Sequence, residues 1–94
     1  MKVGVIGSGT VGQTLAGGFL KHGRQVMLGT RNPKDAKILS WQSATPGAIV
    51  GDFEQTSKFG ELIVLAVLAR AVEEVIRLAG PENFNGKTLI DLPY

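Results

Sequence analysis

The amino-acid sequence predicts an α/β fold, a doubly wound parallel sheet of about five strands with helices on both faces. Short apolar, β-rich runs alternate with helix-like patterns along the chain, as strands joined by right-handed helical crossovers do. A glycine-rich motif, G-x-G-x-x-G, lies where the first strand gives way to the first helix. The 94 residues match the length of one small domain, residues 1–94, with no interdomain linker.

The first βαβ unit shows this pattern clearly. Val3–Ile6 is a short apolar run that ends at a glycine, as a buried strand would. The helical pattern that follows ends near Gly23, which is suited to the left-handed conformation at a helix end. Gly17 and Gly18, inside this helix, are expected to permit close packing on the sheet. Gln25–Gly29 is predicted to be the second strand.

The middle of the chain predicts a weaker helix and a short strand. Asn32 is expected to cap this helix and Pro33 to be its first residue, because the first turn leaves N–H groups unpaired and proline has none. The helix would run through Ala36 to about Trp41. A loop follows, and Ala48–Val50 is predicted to be the third strand.

The remaining elements continue the alternation. Glu54–Phe59 is predicted to be a short polar helix, and Glu61–Val67 is a continuous apolar run, as expected for a strand buried on both faces. Ala69–Leu78 is amphipathic, and Gly80 with the proline after it ends that helix. Lys87–Leu92 is predicted to be the fifth strand.

Composition excludes several classes of function. The chain has no cysteine and one histidine, which excludes disulfides, thiolate nucleophiles and cysteine-based zinc sites. The net charge is +2 and the basic residues are scattered, so a nucleic-acid-binding surface is not supported. No apolar run approaches the roughly 18 residues that a membrane span needs, and we expect a cytoplasmic protein.

The glycine motif spans Gly7–Gly12 and predicts a phosphate-binding loop. Gly7 would form a tight turn, Gly9 would let a pyrophosphate approach the backbone, and Gly12 would allow the helix to pack closely on the strand. The helix amino terminus adds unpaired N–H groups and a partial positive charge. A tight turn alone explains the motif less well, because three glycines at this spacing exceed what a turn requires. The motif therefore predicts a Rossmann-like dinucleotide site.

The end of the second strand distinguishes NAD sites from NADP sites. An NAD site normally has Asp or Glu there, about 20 residues after the glycine loop, to bind the ribose 2′-hydroxyl. This chain has Thr30, Arg31 and Asn32 at that place, with Lys34 or Lys37 as a second cation. A guanidinium binds a phosphate dianion in a directed way, so Arg31 predicts NADP(H). Considered alone, Arg31 would more often be a solvated turn residue, and the role of either lysine stays open.

Four stretches of the sequence together resemble a known family. They are Val5–Gly12, Leu28–Pro33, Gly51–Phe53 and Phe59–Val67. They resemble the NADP oxidoreductases that depend on the deazaflavin coenzyme F420, and most of all their bacterial relatives described as predicted dinucleotide-binding proteins. Pyrroline-carboxylate reductases are similar but more distant. The resemblance covers nearly the whole chain.

The resemblance implies an NADP(H)-binding oxidoreductase, or its cofactor-binding half, that transfers hydride between NADPH and a deazaflavin or flavin-type acceptor. It also implies that the end of the fourth strand contacts the cofactor's sugar and nicotinamide, although a plain core role there is equally open. We expect no catalytic residue and no metal ligand, because the cofactor supplies the chemistry. The candidate cofactor-binding residues are Gly7, Ser8, Gly9, Thr10, Val11, Gly12, Thr30, Arg31, Asn32, Lys34, Ala66, Val67 and Leu68.

The carboxyl-terminal end departs from the family. Relatives usually follow the fifth strand with aspartate, two residues, asparagine and proline, whereas this chain has Asp91, Leu92, Pro93 and Tyr94. We therefore expect a truncated chain that lacks the second half of the fold and leaves an apolar face that a homo-oligomer could cover. A non-catalytic NADP-binding module, a sensor or partner subunit, is the alternative to an enzyme. The expected partners are NADP(H) and a small-molecule redox acceptor, without nucleic acid or membrane.

Overall fold

The computed structural model describes residues 1–92 and contains a five-stranded parallel sheet flanked by helices. The strands are β1 (Lys2–Ile6), β2 (Gln25–Gly29), β3 (Ile49–Gly51), β4 (Leu62–Leu65) and β5 (Thr88–Asp91). The helices are α1 (Thr10–Lys21), α2 (Ala36–Ala44), α3 (Phe53–Phe59) and α4 (Val72–Ala79), with short 3-10 helices at Ala69–Ala71 and Pro81–Phe84. The predicted fold class is confirmed. Pro93 and Tyr94, part of the expected departure from the family, lie outside the described residues.

The strand order is β3-β2-β1-β4-β5, so the sheet grows in one direction from β1 to β3 and in the other from β4 to β5. The two directions meet between β1 and β4. In open α/β sheets, ligands bind in the crevice at the carboxyl ends of the strands at this switch point. Within residues 1–92, none of the helices combines the length and the apolar character needed to cross a bilayer.

The core consists of two apolar clusters, one on each face of the sheet. Alternate side chains of a strand point to opposite faces, so β1 and β4 contribute to both clusters. One cluster packs under α1 and α2: Val3, Val5, Ala16, Val26, Leu28, Ile38, Val64 and Ala66. The other packs under α3 and α4: Ile6, Phe53, Ile63, Leu65, Val75 and Ala79. Helices on both faces are therefore confirmed.

Helix α3 approaches the sheet unusually closely through Thr56. A Cβ atom added to Gly29 would lie 2.7 Å from the Thr56 Oγ1, and one added to Gly4 would lie 2.7 Å from the Thr56 carbonyl oxygen. Thr56 itself is fully buried, and its hydroxyl donates a hydrogen bond to the Asp52 carbonyl at 2.7 Å. These two glycines in the strands therefore make room for a helix.

The start of α2 differs from the sequence-based expectation. Its cap is Asp35, whose side chain accepts a hydrogen bond from the Lys37 N–H at 2.9 Å, and the helix continues to Ala44. The prediction that Asn32 caps the helix and Pro33 opens it is wrong. The Asn32 carbonyl instead accepts from the Asp35 N–H at 3.0 Å, which closes a separate turn before the helix begins. Both residues are good caps, and this turn determines which of them is used.

Strand β5 forms one edge of the sheet and is poorly covered. Leu89, Ile90 and Leu92 are about two-fifths exposed, at 42%, 40% and 37%. Ile90 pairs in register with Val64 of β4, so it lies on the sheet face that α1 covers nearer the centre. The structure thus shows an apolar edge strand of the kind the sequence led us to expect.

Helix α1 contacts Gly7, the residue directly after β1, backbone to backbone. A Cβ atom on Gly12 would lie 1.8 Å from the Gly7 carbonyl oxygen. Gly17 and Gly18, by contrast, have no atom within 4 Å of an added Cβ among the described residues. The expectation that these two allow close packing on the sheet is therefore wrong.

We predict opposite effects for two alanine substitutions in α1. Gly12→Ala should lower the free energy of unfolding by about 1–3 kcal/mol or more, because the methyl group would overlap the Gly7 carbonyl. Gly18→Ala should raise it by up to about 1 kcal/mol, because alanine favours the helix and meets no neighbour. Urea denaturation of both variants measures the difference. A neutral effect of Gly12→Ala would contradict the close contact.

Candidate functional site

The carboxyl ends of β1, β2 and β4 meet at the switch point and are joined there by backbone hydrogen bonds. The Gly7 N–H donates to the Gly29 carbonyl at 2.9 Å, and the Ala66 N–H donates to the Ile6 carbonyl at 2.8 Å. The glycine loop after β1 is therefore held between the ends of both neighbouring strands. This position is the one at which doubly wound sheets bind nucleotides.

Gly7 forms the predicted tight turn. Its φ is +128°, in a region that other residues rarely adopt. A Cβ atom here would also lie 2.1 Å from the Ala66 carbonyl oxygen. Conformation and space therefore both require glycine, and the turn directs the following loop toward the start of α1.

The amino terminus of α1 differs from those of its neighbours. Its cap is Gly9, which is exposed, and no side chain among residues 1–92 caps this end or places an acid in its first turn. By contrast, α2 and α3 are capped by the carboxylates of Asp35 and Asp52. The first N–H groups of α1 are thus left for an external acceptor, and the helix dipole favours an anion there.

Gln13 is a site residue that the sequence analysis missed. Its side-chain Nε2 donates a hydrogen bond to the Ser8 carbonyl at 2.9 Å, which fixes the middle of the glycine loop. The available signal was a polar residue directly after Gly12, on the flank of an otherwise apolar helix. The Gln13 side chain therefore stabilises the loop by binding the backbone of Ser8.

The turn after β2 is ordered by its own side chains. Thr30 is buried, and its Oγ1 accepts a hydrogen bond from the Asn32 N–H at 3.4 Å. Asn32 in turn accepts from the Lys34 N–H through Oδ1 at 3.2 Å. Because these oxygens already act as acceptors, the Thr30 hydroxyl hydrogen and the Asn32 side-chain NH₂ are the groups left to donate to an anion.

One cleft of about 530 Å³ joins this turn to the glycine loop. It brings together most of the residues that the sequence proposed for the pyrophosphate and 2′-phosphate. Lys37 lines the cleft, whereas Lys34 is exposed and closes the turn through its backbone. The Asp35 carboxylate also lines the cleft and lowers its positive charge. The lining residues are Ser8, Gly9, Thr10, Gln13, Thr30, Arg31, Asn32, Asp35, Lys37 and Ile38.

Arg31 also contacts the opposite face of the fold. Its Nη1 donates to the Glu74 Oε1 of α4 at 3.0 Å, and its guanidinium lies 5.8 Å from the centre of the Phe53 ring of α3. A second cavity, of about 330 Å³, lies on this side and is also lined by Asp52 and Glu54. Glu74 is 43 positions away in sequence, so no local pattern could have predicted the pair.

The residues that follow β4 border the glycine loop. Ala66 is buried in the core, and its carbonyl faces the position that a Gly7 side chain would take. Val67 is partly buried and its Cγ1 lies near the same position, whereas Leu68 is 43% exposed. Ala66 therefore belongs to the core, whereas the Leu68 side chain is exposed. Among the described residues, no group of three or more His, Cys, Asp or Glu side chains could hold a metal ion.

Comparison with protein families gives a match over nearly the whole chain. The family described as NADP oxidoreductase, coenzyme F420-dependent, matches residues 2–93. No curated protein matches the chain.

Solved structures show the same fold. A candidate F420-dependent NADP reductase from Arthrobacter sp. FB24 is 34% identical with a TM-score of 0.93, covering 99% of this chain and 44% of that one. An imine reductase from Streptomyces aurantiacus is 30% identical, with a TM-score of 0.81 and coverage of 99% and 32%. One from Myxococcus stipitatus, in complex with NADP+, is 27% identical, with a TM-score of 0.81 and the same coverage. The chain thus spans less than half the length of each.

Proposed function

The chain belongs to the family of coenzyme F420-dependent NADP oxidoreductases. On this premise we propose that it binds NADP(H) and takes part in hydride transfer to or from a deazaflavin or flavin-type acceptor. The observation that carries the proposal is the cleft that joins the glycine loop to the turn of Thr30, Arg31 and Asn32. The first part suits a pyrophosphate and the second suits a 2′-phosphate. The distinction from NAD depends on the second part alone.

The pyrophosphate would bind at the start of α1. There the exposed Gly9 leaves the backbone accessible, and the uncapped N–H groups and the helix dipole attract an anion. Ser8 lies in the loop, where Gln13 donates to its carbonyl, and Thr10 and Val11 are the first two residues of α1. These contacts are common to NADH and NADPH, so they supply affinity without distinguishing the two.

The 2′-phosphate would bind at the turn after β2. The Thr30 hydroxyl and the Asn32 amide are fixed in position by the turn, and Arg31 supplies a charge that pairs with a phosphate dianion. Lys37 adds a second positive charge in the cleft, and Lys34 adds one outside it. A carboxylate in place of Arg31 would repel the phosphate, so its absence from this position also favours NADP(H).

The bound nicotinamide would supply the hydride, and the protein would position it. Ala66, Val67 and Leu68 directly follow β4, with Ala66 and Val67 beside Gly7, and these three residues would bound the cofactor on the β4 side of the crevice. Such chemistry asks for orientation and exclusion of water more than for an acid or base. The deazaflavin or flavin-type acceptor rests on the family alone, since the solved relatives also include imine reductases.

A non-catalytic NADP-binding module, a sensor or partner subunit, is the second candidate. It needs only the cleft, because the glycine loop and the turn of Thr30, Arg31 and Asn32 account for nucleotide binding without a catalytic step. Binding would then occur without turnover.

We predict that the wild-type protein binds NADPH at least tenfold more tightly than NADH, about 1.4 kcal/mol, in calorimetric titrations. Arg31→Ala should weaken NADPH binding by about 1.5–3 kcal/mol, because it removes a charged hydrogen bond, and should leave NADH nearly unchanged. Arg24→Ala is the matched control. Arg24 is also exposed, but it precedes the amino end of β2, whereas Arg31 follows the carboxyl end. Equal losses for both nucleotides in Arg31→Ala would exclude its 2′-phosphate role.

We predict that the protein turns over NADPH with a deazaflavin or flavin acceptor. The loss of NADPH absorbance measures this reaction. Arg31→Ala should raise the KM for NADPH and leave kcat unchanged, because the phosphate contact is the same in the ground state and the transition state. A KM for NADPH that changes with Arg31→Ala shows that the activity belongs to the protein and not to a contaminant. Tight NADPH binding without turnover of any acceptor would favour the non-catalytic module.

We also propose that a second copy of the chain covers the exposed side of β5. The support is the exposed apolar side chains of Ile90 in this edge strand and of Leu92 just after it, because an exposed apolar edge favours association. Light scattering should give twice the mass of one chain for the wild type and one chain mass for Ile90→Lys. Leu39→Lys, which changes an equally exposed apolar residue of α2, should remain dimeric. A monomeric wild type would contradict the proposal and favour cover by a further chain segment.

A further inference from the structure

We propose that Glu74 of α4 is a specificity-determining residue that competes with the 2′-phosphate for Arg31. In the free protein its carboxylate holds the guanidinium, so NADP(H) must exchange one anionic partner for another, whereas NAD(H) need not. Glu74 then lowers the affinity for the phosphorylated cofactor alone. The inference rests on the proposed function and concerns its selectivity.

The geometry places Glu74 in direct competition. Its Oε1 accepts from the Arg31 Nη1 at 3.0 Å, within the range of a charged hydrogen bond. The Phe53 ring lies 5.8 Å from the same guanidinium and supports it from α3. Both contacts come from the helices that cover the face opposite α1. They therefore hold the Arg31 head group toward that face, although Arg31 also lines the cleft together with Thr30 and Asn32.

The charges around Arg31 make Glu74 the relevant competitor. Asp52 and Glu54 line the cavity beside Arg31, and Asp35 lines the cleft on its other side. Asp52 and Asp35 already accept backbone hydrogen bonds as helix caps. Within residues 1–92, Glu74 is the carboxylate that forms an ion pair with Arg31. A phosphate arriving at Arg31 therefore replaces this contact and then lies close to the displaced carboxylate.

The exposure of the pair determines the size of the effect. The side chains of Arg31 and Glu74 are 55% and 49% exposed. Exposed pairs are weak and are worth at most about fivefold in an equilibrium constant. A phosphate dianion can displace such a partner, so Glu74 tunes affinity and does not block the site. Repulsion between the freed carboxylate and the phosphate adds a second, similarly screened penalty.

The test compares Glu74→Gln with Glu73→Gln in the purified protein. Both glutamates are exposed in the first turn of α4, so each substitution removes one negative charge from the same helix end. Glu74→Gln should tighten NADPH binding by about threefold to tenfold and change NADH binding by less than twofold. Glu73→Gln should change both by less than twofold. Unchanged or weaker NADPH binding in Glu74→Gln, or an equal gain in Glu73→Gln, would overturn the inference.

A double substitution tests whether the effect passes through Arg31. In an Arg31→Ala background, Glu74→Gln should tighten NADPH binding clearly less than in the wild-type background, because the competed group is absent and only the screened repulsion remains. The same gain in this background would show that Glu74 acts on the nucleotide by another route and would overturn the competition. Failure of the wild type to prefer NADPH would overturn the proposed function and this inference together. Preference in the wild type without a gain in Glu74→Gln overturns the inference alone.

Discussion

Helix α1 reaches the sheet through a direct approach of the Gly12 backbone to the Gly7 carbonyl, and the geometry of the cleft follows from that contact. A single methyl group at Gly12 would lie 1.8 Å from this oxygen. With the two backbones this close, the amino terminus of α1 lies directly above the end of β1. The unpaired N–H groups and the helix dipole are then presented at the switch point of the sheet.

The opposite face of the sheet contributes to the same site through a second close packing. Thr56 of α3 occupies the space that a side chain at Gly29 would take. This packing places Phe53, the first residue of α3, close to the guanidinium of Arg31, which follows the end of β2. Helix α4 then brings Glu74 to the same guanidinium. The cation proposed to select the cofactor is therefore positioned by two helices that do not line the phosphate cleft.

Electrostatic balance in the cleft explains how a site with modest charge could still be selective. The cleft is lined by Arg31 and Lys37 but also by Asp35. Glu74 pairs with Arg31 from α4, on the opposite face of the sheet, and offsets its charge. The positive field is small, so directed hydrogen bonds must carry most of the recognition. Thr30 and Asn32 suit that role because the turn has already fixed their orientation, which lowers the entropy lost when a ligand binds.

The sequence by itself determined the order of the elements, the glycine loop and the turn with Arg31, because each depends on residues that are neighbours in the chain. It also determined the parallel sheet, because strands that alternate with helices are joined by crossovers that make them parallel. It misplaced the start of α2, since Asn32 and Asp35 are both good caps and the turn between them decides. It misjudged Gly17 and Gly18, because spacing in a helix does not show whether a neighbour is present. It could not predict that Glu74 and Phe53 contact Arg31, because these contacts form only when α3 and α4 pack on the sheet. The tertiary structure alone therefore decided which groups Arg31 meets.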